Sequence, residues 1–286
     1  MNFWNRSPDL VVNLRPSSFV LYTARMPLHV EEYGPADAPS ILFLHGGGVG
    51  GWSWQPQVEA FKSDYHLLVP DLPEHGESMA VAPFSMTDAA ARMAGLVHER
   101  AHGGHAHVVG LSLGAQVGVA LLAVAGRLVD RAVLSGASLR PLPGASLIEP
   151  TLWLYAPFKN IPYLIRLNQQ SLGVPAAYAA QFAQDTRRAT TRSLTNVLKA
   201  NLAFREPPGL TRLKNPTLVL VGEKEPSLMR RSARQLAASM TGATAYMVQG
   251  VIHNWPLAAP ELFNRTLRAW LTEQPLPAEL VPVPRR

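Results

Sequence analysis

Cysteine is absent from the 286-residue chain. Disulfides, a thiolate nucleophile and cysteine-ligated zinc are therefore excluded, and the composition is that expected of a cytoplasmic protein. Charge is also sparse, at 16% of residues against roughly 25% in ordinary soluble domains. The basic excess, a formal +6, is scattered. Its single dense stretch, DTRRATTR at 185–192, reads as a solvated helix face, so nucleic acid is not an expected partner. No apolar run approaches the roughly 18 residues of a membrane span, so integral membrane association is not expected either. The opening MNFWNRSPDL lacks the apolar core and small-residue cleavage site of a signal peptide.

What remains is a chain long enough for one large domain, with 47% hydrophobic residues. Short β-rich runs recur at 18–24, 28–34, 40–46, 65–71, 106–112, 131–137, 216–223 and 243–250. From the third onward most are continuously apolar, the mark of strands buried on both faces of a parallel sheet. Helix-like stretches separate them, one opening at a Ser85 or Thr87 cap, so the pattern predicts an open α/β sheet with antiparallel first strands. Residues 138–210 carry no strand signal and read as a helical cap inserted after the sixth run. This gives an N-terminal extension over 1–18, a core over 19–137 and 211–273, and a proline-rich, irregular tail over 274–286.

Three elements carry chemistry. Gly110-Leu111-Ser112-Leu113-Gly114 is a G-x-S-x-G between a strand and a helix, the setting of a nucleophile elbow, whose tight turn requires small neighbours. The pentapeptide alone can be an ordinary glycine-flanked turn; its setting raises it above that. FLHGGGVGGWSW at 43–54 follows a buried strand with successive glycines, whose backbone N–H groups can approach an oxyanion. A phosphate cradle is disfavoured there, since neither G-K-[ST] nor a G-x-G-x-x-G opening a helix is present. Finally, His253 in GVIHNWPLAAPELF falls between the last of these runs and the last helix, where an imidazole could take the Ser112 proton and return it to a leaving group.

With HGGG, VPDLPEHGES at 69–78, GLSLG and IHNWP in that order, the chain resembles the α/β-hydrolase superfamily from about residue 19 to 273, in its serine-hydrolase branch with an HGGG oxyanion loop. The resemblance implies an α/β-hydrolase fold with a mostly parallel eight-stranded sheet flanked by helices. It implies Ser112 as nucleophile and His253 as base, with the N–H groups of Leu113 and Gly47 as the oxyanion hole and Gly48 as the alternative. The family acid follows the seventh strand, where VGEKEPS offers Glu223 and Glu225; the G-E-x-D pattern puts it at Glu225. The family usually has glycine where this chain has Glu74. HGGG…GGW also resembles the branch that hydrolyses carbon–carbon bonds, although Asn254 intervenes before Trp255, where that branch places tryptophan directly after the histidine.

The expected function is a serine hydrolase of a small, mainly apolar ester, working through an acyl-enzyme without metal or organic cofactor. Carbon–carbon bond hydrolysis, lactone hydrolysis, perhydrolysis and, from another class, a non-catalytic ligand-binding protein on this fold are the alternatives. Epoxide hydrolases and haloalkane dehalogenases need aspartate where Ser112 stands. His102, His105 and His107 suggest a metal but lie at the far end of the elbow strand and read as surface groups. His45 and His75 read as loop-ordering. Trp52, Trp54 and Trp255 are candidate walls of an acyl pocket, with packing the default reading. Arg187, Arg188 and Arg192 are candidate carboxylate receptors, with a solvated face the plainer reading.

Overall fold

The computed structural model describes residues 27–139 and 148–283. Eight strands form one sheet: β1 (Val30–Tyr33), β2 (Ser40–Leu44), β3 (His66–Pro70), β4 (Ala106–Leu111), β5 (Val129–Ser135), β6 (Thr217–Gly222), β7 (Ala243–Val248) and β8 (Leu280–Pro282), in the order β1-β3-β2-β4-β5-β6-β7-β8. Only the two edge pairings, β1 with β3 and β7 with β8, are antiparallel. Every residue of β2, β3 and β6 is buried, which explains why each is continuously apolar after its first residue. Edge strand β1 is half-exposed, with Glu31 and Glu32 exposed between the half-buried Val30 and Tyr33.

The eight strands are not the eight sequence runs. The run at 18–24 lies outside the described residues. The eighth strand comes instead from the tail expected to be irregular. Leu280 pairs with Val248 and Pro282 with Tyr246, and the flanking bonds Gln249 N–H to Glu279 and Val283 N–H to Ala245 continue the ladder. Proline has no donor, yet on an outermost strand one side of the backbone needs none.

The strand pleat splits the core in two. Leu42, Leu44, Val108 and Leu134 face helices α2 (Met86–Arg100) and α3 (Leu113–Ala125), while Ile41, Phe43, Val109 and Val133 face the opposite layer, where α1 (Gln55–Phe61) packs with Trp54, Trp255 and Phe263. Ser85 caps α2, its hydroxyl accepting from the Asp88 N–H at 3.1 Å. All of α3 is buried, so the helix that follows the elbow is fixed on every side.

Between β5 and β6 the described chain is helical: α4 (Ile148–Tyr155), α5 (Pro162–Ser171), α6 (Ala179–Arg188) and α7 (Thr191–Ala203). Side-chain bonds tie this segment to loops at the strand ends. Gln116 on α3 donates to Asn201 O at 3.1 Å, Asn196 donates to Glu74 at 3.0 Å, the Trp52 indole donates to Asp185 at 2.6 Å, and Arg188 pairs with Glu77 at 2.5 Å. Among the described residues no helix is long and apolar enough to cross a membrane.

Candidate active site

Ser112 stands between β4 and α3 with φ 55° and ψ −113°, a backbone state costly for a side-chain-bearing residue and held only when its surroundings over-determine it. They do so here. The Ser112 N–H donates to Ser135 O at 2.8 Å, and Ser112 O accepts from Gln116 N–H at 3.0 Å. A Cβ at Gly114 would lie 2.1 Å from the Leu44 carbonyl oxygen, and one at Gly110 would lie 2.7 Å from Gly114 O. Both flanking glycines are thus demanded by close backbone approach.

The loops after β6 and β7 bring a carboxylate to an imidazole. Glu225 is buried, with Oε1 accepting from the Gly222 N–H at 2.7 Å and Oε2 lying 2.5 Å from His253 Nδ1. A carboxylate there accepts the Nδ1 proton and leaves Nε2 with the lone pair. Glu223 points elsewhere, accepting from the Gly250 N–H at 2.8 Å on the surface. Arg230 clamps the loop by donating to the carbonyls of Glu223 and Glu225. The imidazole is 41% exposed and the carboxylate 1%, so the acid is desolvated while the base stays accessible. Gly136, φ 67°, lies against the pair: a Cβ there would be 2.5 Å from His253 Cε1 and 3.5 Å from Glu225 Oε2. Since the preceding Ser135 carbonyl holds the Ser112 N–H, the β5 end joins the serine turn to the histidine loop.

The glycine loop after β2 completes the surroundings. His45 Nδ1–H donates to Gly46 O at 2.8 Å and Nε2 accepts from the Leu72 N–H at 2.9 Å. The ring is wholly buried, which lowers its pKa and keeps it neutral. It is indeed a loop-ordering group. Gly47 lies against Leu113, a Cβ on it falling 3.8 Å from Leu113 Cδ2. Neither the Gly47 N–H nor the Leu113 N–H has a partner among the described residues. Asp71 secures the neighbouring loops, accepting from Gly51 N–H at 2.7 Å and Glu77 N–H at 2.8 Å.

Residues 41–266 match the model of the alpha/beta hydrolase family. The chain belongs to that family. It is 29% identical over 275 residues to an AB hydrolase superfamily protein of Gibberella zeae, covering 93% of this chain and 92% of that one. It is 25% identical to the (E)-2-((N-methylformamido)methylene)succinate hydrolase of Acinetobacter baylyi, over 86% of this chain and 95% of the relative. The enol-lactonase of Burkholderia xenovorans shares the fold, with a TM-score of 0.71 and 23% identity across 86% of this chain and 96% of its own.

In this α/β hydrolase a cavity of about 410 Å³ has Ser112, Gly47 and Gly48 in its wall, roofed by residues of α4, α5, α6 and α7. The tryptophans do not line it. Trp54 and Trp255 are core residues at 1% and 0% exposure, the latter donating to Ser135 Oγ at 2.9 Å. Trp52 stacks on Tyr178 while bonded to Asp185. Their large apolar area was best buried by packing. None of Arg187, Arg188 and Arg192 faces the cavity. His105 pairs with Asp130 at the surface, and no metal-holding group of three His, Asp or Glu side chains occurs among the described residues.

Of the remaining polar residues in the cavity wall, Glu74 stands out in sequence only for replacing glycine, and Lys159 and Asp185 escape the sequence reading. Glu74, at φ 60°, occupies the usual glycine position; its carboxylate accepts from Phe84 N–H and the Asn196 amide, bridging the strand-end loop to α7. Lys159 is buried and donates to Asn160 Oδ1, Thr186 O and Arg187 O, the last two at the end of α6; burial lowers its pKa. Asp185 is a buried residue of α6 itself, and burial raises its pKa. Only the departure from glycine at Glu74 left a signal in sequence.

Proposed function

We propose that this α/β hydrolase is a serine hydrolase that cleaves small, mainly apolar esters through a Ser112-His253-Glu225 triad. The observation that carries the reading is the desolvated Glu225 carboxylate 2.5 Å from His253 Nδ1, in a loop that meets the serine turn at Ser135–Gly136. In this mechanism Ser112 Oγ attacks the ester carbonyl as His253 Nε2 takes its proton. Glu225 holds the ring and balances the imidazolium. The Gly47 and Leu113 N–H groups, unpartnered among the described residues, receive the carbonyl oxygen as it gains charge. The C–O bond breaks, His253 protonates the departing alcohol, and water repeats the sequence to release the acid and restore Ser112. In the same reading residues 138–210 act as a cap whose helices set substrate size.

The same triad would open a lactone or break a carbon–carbon bond. The enol-lactonase that shares the fold makes lactones the second class to assay. A fluorophosphonate probe with a panel of p-nitrophenyl esters tests the proposal. Wild type should label once, at Ser112, and turn over short esters, whereas Ser112→Ala should do neither while melting like wild type. Labelling of the alanine variant, or unchanged turnover by it, would refute the nucleophile and leave a binding protein as the better account.

A further inference from the structure

His75 lies on the wall of the active-site cavity. It is 5% exposed in total, and it lines the cavity that holds Ser112, Gly47 and Gly48. Its Nδ1–H donates to Pro73 O at 2.9 Å, which fixes the tautomer and leaves the lone pair on Nε2. The ring is held edge-on by His45 at 5.1 Å and Phe84 at 6.2 Å. Burial, with the neighbouring His45, pushes its pKa down to about 3, so the ring stays neutral and Nε2 remains an acceptor near neutral pH. No described residue donates to Nε2. Nor is this nitrogen sealed away: the sealed, unpartnered side-chain atoms among the described residues are on Trp54, Gln57, His107, Gln116 and Trp270. It therefore opens on the cavity.

Most other polar groups around that cavity are engaged. Glu74 holds Phe84 and Asn196, Lys159 caps α6, Ser193 closes a capping box with Thr190, and Thr186 donates to Phe182 O. An alkyl substrate would strip water from Nε2 and return nothing. A substrate with a hydroxyl or N–H would replace that water.

We propose that His75 Nε2 accepts a hydrogen bond from the substrate, and that this hydrolase selects esters bearing a hydroxyl or amide N–H over their alkyl isosteres. This rests on the serine-hydrolase reading for the ester, but not for the contact itself. His75 takes no part in proton transfer. Its effect is on selectivity, because leaving a buried acceptor unpaired in the transition state penalises the wrong substrate.

The test compares kcat/KM within three isosteric pairs, for wild type, His75→Phe and His75→Gln. The pairs are methyl 2-hydroxybutanoate with methyl 2-methylbutanoate, methyl 3-hydroxybutanoate with methyl 3-methylbutanoate, and 2-hydroxyethyl butanoate with propyl butanoate. At least one pair should favour the hydroxyl compound by about tenfold or more. His75→Phe should abolish that preference, and His75→Gln, whose amide oxygen falls near the place of Nε2, should keep part of it. Loss of a merely structural histidine would lower both members of a pair alike. No preference in any pair, or a preference that survives His75→Phe, overturns the proposal. Nitrogen-15 NMR of His75 in Ser112→Ala provides a readout without turnover. The Nε2 resonance should move with a hydroxyl ester and stay in place with its isostere; equal responses to both overturn the contact. Failure of the serine reading would appear separately, as absent phosphonate labelling of wild type.

Discussion

Replacing Glu225 by glutamine changes almost no volume and asks one question of the site. The carboxylate uses both oxygens as acceptors, Oε1 for the Gly222 N–H and Oε2 for His253 Nδ1. An amide has one oxygen. If that oxygen stays on Gly222, the NH₂ group faces Nδ1 and favours the tautomer with its proton on Nε2, which cannot accept from Ser112. If the amide turns over, its NH₂ meets the Gly222 N–H and a buried donor is left unpaired. Either arrangement also removes the negative charge that balances the imidazolium, in a place where 1% exposure of the carboxylate leaves little water to screen it. The expected fall in kcat is at least about a hundredfold, equivalent to roughly 2.7 kcal/mol, and up to about ten-thousandfold by analogy with a protease triad acid. Glu223→Gln serves as the control. Among the described residues its carboxylate bonds only the exposed Gly250 N–H, for which a glutamine oxygen can substitute, so the loss should stay below about tenfold. Both are measured with p-nitrophenyl butanoate, with burst kinetics to confirm that acylation is observed. A small loss at Glu225 would mean that the 2.5 Å contact orders a loop without serving the base, and a large loss only at Glu223 would reverse the assignment.

Further outcomes follow from the same geometry. Gly136→Ala places a Cβ 2.5 Å from His253 Cε1 on a residue with φ 67°, so kcat should fall at least about tenfold through displacement of the base; unchanged kinetics would show that the ring need not stay where it is. His45 and His75 are neutral and buried, with pKa values pushed below the ordinary histidine value. The unfolded chain therefore binds more protons than the native one, and stability should be full above about pH 6.5 and decline on acidification. For His75 the slope should be on the order of 1.4 kcal/mol per pH unit between about 6.5 and 3. Urea melts of wild type and His75→Phe should show a shallower acid slope in the variant, and equal slopes would place the linkage elsewhere. A cavity of about 410 Å³ suits short acyl chains, so soluble butanoate esters should be cleaved faster than emulsified long-chain triglycerides. Interfacial activation on the triglycerides would contradict that reading.

The sequence by itself determined those features whose physical cause is local. Gly110 is required by backbone approach to Gly114 and Ala115 within a single strand-turn-helix, so that part of the pentapeptide carries its own geometry, whereas Gly114 is required by the Leu44 carbonyl of the neighbouring strand. The apolar runs at 41–44, 67–70 and 218–221 announced strands covered on both faces. His45 before its glycines, and the helical stretch between β5 and β6, were legible for the same reason. Tertiary structure decided whatever depends on a partner distant in the chain. Glu223 and Glu225 are two residues apart in one loop and differ only in which of them reaches an imidazole 28 positions beyond Glu225. Trp54 and Trp255 went to the core rather than to the cavity because the layer around Phe43 and Phe263 had space for two indoles. Lys159 and Asp185 became cavity residues through the fold of the helical segment, which no local pattern records. The tail became β8 because β7 offered an open edge, and a proline there forfeits a hydrogen bond only on the side that faces no strand. Short-range sterics write themselves into sequence; the choice among equivalent side chains is made where distant segments meet.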